Sequence, residues 1–222
     1  MRLTAALLVL SAVAMNLAFT VLGTVFDYPD VLTRPTAQIL TAFRAEQTHV
    51  TIWFTVMATA AATFAPIAIR IGRLAPMRAA VAAGIAAAVV QTIGLLRWPL
   101  LVPHFAATGD VAAFELAHRV LGTLLGEALG YALTAGWTIL VLRALPGLPR
   151  WFHGLGALSA AMIATGILTP LGVPLTDLGN FVGYVLWSGW LICFAGLLLR
   201  RSAGPETAPQ TTVEPCQTTT TT

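Results

Sequence analysis

Ala79–Val102 reads AAVAAGIAAAVVQTIGLLRWPLLV, an apolar run broken only by Gln91, Thr92 and the single charge Arg97. Crossing the hydrocarbon of a bilayer takes roughly 20 apolar residues at the helical rise. Backbone groups in lipid must bond within their own segment, so such a run predicts a helix. Five more runs qualify: Leu3–Phe26, Thr48–Ile69, Leu116–Leu142, Gly154–Leu171 and Leu178–Leu199, the fifth in chain order being the shortest. The fold class expected is all-α integral membrane, a bundle of six transmembrane helices over residues 1–201.

Composition agrees. Of 222 residues 57% are hydrophobic and 9% charged, against about 25% charged in a soluble domain. That excludes a soluble globular enzyme, a disordered chain and a nucleic-acid-binding domain. The first run also has signal-peptide features, Arg2 and the Ala12-Val13-Ala14 site, yet it stays apolar to Phe26, so the uncleaved helix is favoured.

All twelve basic residues are arginine. Arg2, Arg70, Arg73, Arg78, Arg143, Arg150, Arg200 and Arg201 share one side of the expected topology, against Arg34, Arg44 and Arg119 on the other. Arginine excess marks the cytoplasmic side, so both termini are expected in the cytoplasm of a plasma-membrane protein. The net charge of +3 is then a topology signal. Asp27, Asp30, Glu46, Asp110, Glu115 and Asp177 all fall outside.

The external segment 27–47 opens with a turn, Asp27-Tyr28-Pro29-Asp30. After Pro35, the residues Ile39, Leu40 and Phe43 share one face and predict a short amphipathic helix that lies on the membrane or caps the bundle. The threonine- and proline-rich tail, 202–222, has no apolar face to bury and is expected to be a disordered cytoplasmic tail. Cys193 and Cys216 have no metal-type spacing.

Charge inside a span is costly and marks function first. Arg97 in the third span and Glu127 in the fourth lie at similar depth, and their helices are sequential, so the two side chains are expected to pair. A pair that only locks two helices is the plain alternative to a charged pocket open to the outside. Tyr131, Asn16, Asn180 and Tyr184 are the further pocket candidates, from polar stripes in the outer halves of their spans. Thr51, Thr55, Thr59 and Thr63 form another stripe, better read as interhelical hydrogen bonding or as hydroxyls bonding their own helix than as a pocket. Gly122, Gly126 and Gly130 recur every fourth residue and predict close helix packing.

Glu46/His49 and Glu115/His118 are two Glu-x-x-His pairs, the spacing used by di-iron bundles. They sit at helix mouths, not in a bundle core, so metal binding is the weaker reading and no cofactor is expected. No nucleophile elbow, phosphate loop, Rossmann glycine pattern or zinc-protease motif occurs.

Three segments, Arg97-Trp98-Pro99-Leu100-Leu101-Val102-Pro103, Gly126-Glu127-Ala128-Leu129-Gly130-Tyr131 and Asn180-Phe181-Val182-Gly183-Tyr184-Val185-Leu186-Trp187, resemble the signature segments of a family of small bacterial multi-pass membrane proteins catalogued as a domain of unknown function. The resemblance covers the chain to about Arg201 and implies a six-helix membrane fold with no established activity. The family pattern often carries a histidine where this chain has Ala128, which weakens a proton-relay or metal role beside Glu127.

The reading that follows is a membrane protein with the bilayer as its surroundings and a small amphiphile or lipid as its ligand, held in an outer-leaflet pocket around Arg97 and Glu127. Nucleic acid is not an expected partner. A proton-coupled transporter acting as a homodimer, an intramembrane enzyme, and an accessory subunit docked on a larger membrane complex through the glycine face are the alternatives.

Overall fold

The computed structural model of the chain describes residues 1–202. The expected tail lies outside the described residues, except for Ser202 at the end of a helix. The described residues are all helical, with no strand. Six helical stretches are long and apolar enough to cross a membrane: Arg2–Phe26, Gln47–Ile71, Arg78–Thr108, Val111–Ala144, Arg150–Leu171 and Thr176–Arg201.

The first span is one helix, α1 (Arg2–Phe26). Asp27 stops it in the left-handed conformation, φ 55°, and Pro29 follows, where no helix can continue. A 3₁₀ turn (Asp30–Thr33) leads to α2 (Thr36–Ala45). Ile39, Leu40 and Phe43 of α2 are buried, against Phe26 and Trp98 among others. That decides between the two roles expected of this helix: α2 caps the bundle. The second span is α3 (Gln47–Ala62) and α4 (Phe64–Ile71). Its threonine stripe is self-satisfied, since Thr55, Thr59 and Thr63 each donate to the carbonyl four residues earlier.

The third span is α5 (Arg78–Leu100), which runs through Pro99, and α6 (Val102–Thr108). Gly109 turns the chain at φ 70° and Asp110 caps α7 (Val111–Ala117) by accepting from the Ala113 N–H at 3.0 Å. The fourth span departs from the plain helix expected of it. Residues His118–Leu129 form a π-helix before α8 (Gly130–Ala144) resumes the ordinary winding. Nothing in residue type signals this. Within it, Gly122 and Gly126 lie against Arg97 and Gly94 of α5. The fifth span is α9 (Arg150–Thr165) followed by a 3₁₀ turn (Gly166–Leu171) that contains Pro170. The sixth is α10 (Thr176–Ser202).

Each span packs on the next in sequence, and the sixth returns to the first, closing a ring. Among the described residues two large apolar clusters fill it, with a smaller one of Ala135, Ala160 and Ile163 between α8 and α9. One gathers Leu8, Ile67, Trp137, Phe152, Trp190 and Phe194 at the end where α9 begins and α10 finishes. The other gathers Phe26, Phe43, Phe54, Trp98 and Phe114 at the opposite end, with Phe54 and Trp98 stacked at 4.7 Å. Lipid tails are as apolar as these side chains. Cohesion here therefore comes from close packing more than from exclusion of water.

Candidate functional site

Arg97 stands beside the second cluster. Its side chain is buried at 4% exposure, with Cζ 5.4 Å from the Trp98 ring. One terminal nitrogen donates to the Gly94 carbonyl and the other to His118 Nδ1 at 3.3 Å. Arginine has no acceptor, so that His118 nitrogen carries no proton. His118 itself is held flat against Phe114, with ring centroids 5.9 Å apart. Arg97 Nε has no hydrogen-bond partner, nor has the Trp98 indole N–H next to it.

The glycine stripe explains how a guanidinium fits there. Gly122 faces Arg97: a Cβ at 122 would stand 2.8 Å from Cζ. Gly126 meets Gly94 backbone to backbone, and Gly130 receives Gln91. Gln91, Gly94 and Arg97, three residues apart on α5, therefore lie against glycines four residues apart on the antiparallel partner. The stripe is packing, as its spacing predicts. It is covered by this chain's own α5, which removes it as the docking face for a larger complex.

Arg97 and Glu127 do not form the contact pair expected of them; the ion pairs among the described residues are Arg34–Asp27 and His49–Glu46. The reason is geometric. Seating the guanidinium over Gly122 aims it one turn short of Glu127, at His118 and Gly94. The two charges remain within electrostatic reach of one another. Glu127 is half-buried, and its carboxylate has no hydrogen-bond partner among the described residues.

Around Glu127 stand groups that the sequence pointed to and others that it did not. Tyr131 and Tyr184 meet edge to face at 5.6 Å, and both feel the Glu127 charge. The Tyr184 hydroxyl reaches Thr134 and Gln91, while Gln91 Nε2 donates to Thr134 Oγ1 at 2.7 Å. Asp177, at the start of α10, acts on Glu127 through space and accepts from Thr169 at 2.8 Å. Tyr28 belongs to the cluster as well. Burial pushes its hydroxyl up to about 12, with the Glu127 charge adding to the shift and Arg97 opposing it.

The two asparagines have other tasks. Asn180 Nδ2 donates to the Ile163 carbonyl at 2.8 Å, one of the acceptors released where α9 gives way to the 3₁₀ turn. Asn16 Nδ2 donates to the Ala12 carbonyl and to Ser188 Oγ, each at 2.8 Å, and joins α1 to α10. The Glu-x-x-His residues are also dispersed. Glu46 bonds His49, Glu115 accepts from Thr36, and His118 serves Arg97. No three His, Cys, Asp or Glu side chains among the described residues are placed to share a metal ion.

Tyr28 and Gln91 are the members that sequence reasoning missed, whereas Thr134 shares the polar stripe of Glu127 and Tyr131 along its helix. Gln91 had a usable signal, because it shares the Gly94–Arg97 face at three-residue steps. Tyr28 had none beyond its place in a turn. The site is a set of polar groups from α5, the π-helix, α8 and α10, roofed by the first connection. Comparison with protein-family models, curated proteins and solved structures finds no match for this chain.

Proposed function

We propose that this chain is a multi-pass protein of the bacterial plasma membrane, with both termini cytoplasmic, that binds a small amphiphile or lipid through an anionic group on its outer-leaflet side. Arg97 receives the anionic group. Glu127, Tyr131 and Tyr184 line the adjoining polar space, and the short helix Thr36–Ala45 lies over the same end on the external face.

The observation that carries this reading is the unmet Nε of a buried guanidinium beside an unpartnered half-buried carboxylate. A pair that existed to lock two helices would be in contact, since an uncompensated buried charge is costly. Two charges held near each other and left apart favour a ligand that completes them. Native mass spectrometry of protein purified in mild detergent tests this. Wild type is expected to carry a co-purifying amphiphile that Arg97→Gln loses and Glu127→Gln retains in altered amount. Identical ligand masses and occupancies in all three proteins overturn the reading.

A proton-coupled carrier is the second reading. It is favoured by one feature, the placement of Glu127 on a π-helix beside Tyr131 and Tyr184. Irregular winding near a functional carboxylate suits a moving part. Uptake into liposomes that is insensitive to Glu127→Gln counts against it.

A further inference from the structure

A groove runs between α8 and α9 on the outside of the ring. Gly136 and Ile139 of α8 and Ala157, Ala161 and Ala164 of α9 line its apolar length, with a volume of about 530 Å³. A second length, about 560 Å³, shares Ile139 and Ala157 with the first and opens between Arg143 and Arg150. His153, also on the wall, lies 3.2 Å from the Leu142 carbonyl and 3.1 Å from the Pro149 carbonyl, which ties the start of α9 to the end of α8. The arginines are thereby held at one mouth.

We infer that this groove binds a bilayer phospholipid with an anionic headgroup, its phosphate between Arg143 and Arg150 and an acyl chain laid along the α8–α9 seam. Three observations converge. The first is polarity: charged at one end and apolar along the rest, the groove has the polarity of a lipid. From Arg150 to Ala164 the α9 wall is roughly 21 Å long at the helical rise, enough for one leaflet's share of a hydrocarbon core about 30 Å thick. The second is the missing counter-charge. Neither arginine has a hydrogen-bond or ion-pair partner among the described residues, and every acidic residue up to 202 lies at the other end or at Glu127. The third disfavours a second copy of this chain as the occupant. A two-fold contact through this face would set Arg143 and Arg150 against their own copies. Basic pockets between transmembrane helices recognise anionic headgroups in this manner.

The test reconstitutes the full chain with equal parts phosphatidylglycerol and phosphatidylcholine, extracts it mildly and counts retained lipid by native mass spectrometry. Wild type is expected to retain phosphatidylglycerol selectively. Each arginine at a membrane surface contributes about a fivefold preference, so the double variant Arg143→Ala/Arg150→Ala loses at least about tenfold. Gly136→Leu keeps both arginines and fills the seam. No atom stands within 4 Å of the Cβ position at Gly136, so the new side chain leaves the backbone into open space, and the variant, checked by an unchanged circular-dichroism spectrum, is expected to lose the retained lipid as well. Lipid held at Arg97 is common to all three proteins and cancels. Equal retention of the two lipids by wild type, or unchanged selectivity in the double variant, overturns the inference. So does disulfide cross-linking of Ala161→Cys between chains in the membrane, which would give the face to a second copy.

Discussion

The two ends of the ring are built on opposite terms. At the arginine-rich end the interior is apolar and dense: Trp137, Trp190, Phe152 and Phe194 interlock, with the Phe152 and Trp190 rings 4.9 Å apart, and the arginines stay outside. At the other end a stacked aromatic cluster sits directly beside a buried arginine, and the polar side chains are incompletely matched. At the dense end the group left unbonded is a neutral one, the Trp137 indole N–H; at the other end a charged guanidinium nitrogen and a carboxylate stay unmet. In a bilayer that difference separates structure from function, because an unmet polar group has no water to turn to.

The sharpest break between the ends would come from aromatic truncation. Trp190→Ala removes a fully buried ring and is expected to cost about 3–5 kcal/mol, read as loss of unfolding stability in micelles. A cost near zero would mean that the dense end is not what holds the ring together. Arg97→Met is expected to act in the opposite direction. Replacing a buried, partly unmet charge by an apolar side chain of similar length is neutral or stabilising by up to about 4 kcal/mol. The ligand-free variant should melt no lower than wild type while losing the co-purifying ligand. If it unfolds instead, Arg97 is a structural lock and the ends differ less than proposed here.

Smaller effects refine the picture. A Cβ at Gly94 would stand 2.7 Å from the Gly126 Cα, so Gly94→Ala must push α5 away from the π-helix. Overpacking of this kind costs about 1–3 kcal/mol, and the circular-dichroism melting curve should shift accordingly. Gly136→Ala, in open space, should leave that curve unchanged.

The smallest effect is alkaline. Tyr28 is held in its neutral form up to about 12, above its ordinary value of 10. Between these values the folded chain keeps a proton that the unfolded chain has released, so stability falls with rising pH across that window. Below pH 10 the contribution is fully present. Tyr28→Phe should flatten the alkaline decline between pH 10 and about 12, measured as unfolding midpoint against pH. An unchanged slope would place Tyr28 outside the polar cluster.

Sequence by itself determined the six long apolar helices and the existence of the short amphipathic one, though not that it caps the bundle, because each depends on a local quantity: the length of an apolar run, or the spacing of Ile39, Leu40 and Phe43 along one turn-repeat. It also determined the packing role of Gly122, Gly126 and Gly130, since only small residues let two backbones approach. It singled out Arg97 and Glu127 as the charges inside the apolar helices, again by counting along the chain, but the structure sets Arg97 level with Gly122, about one turn from Glu127. Tertiary structure decided everything that depends on rotation of one helix against another. That rotation seats Arg97 over Gly122 and directs it to His118 and Gly94, not to Glu127. It also draws Tyr28 and Asp177 to the same carboxylate and turns Asn16 and Asn180 to other bonds. The π-helix was not legible in the sequence either, since no residue type in 118–129 marks the change of winding. A helical sequence fixes which residues share a face; which face meets which is settled by packing around the whole ring.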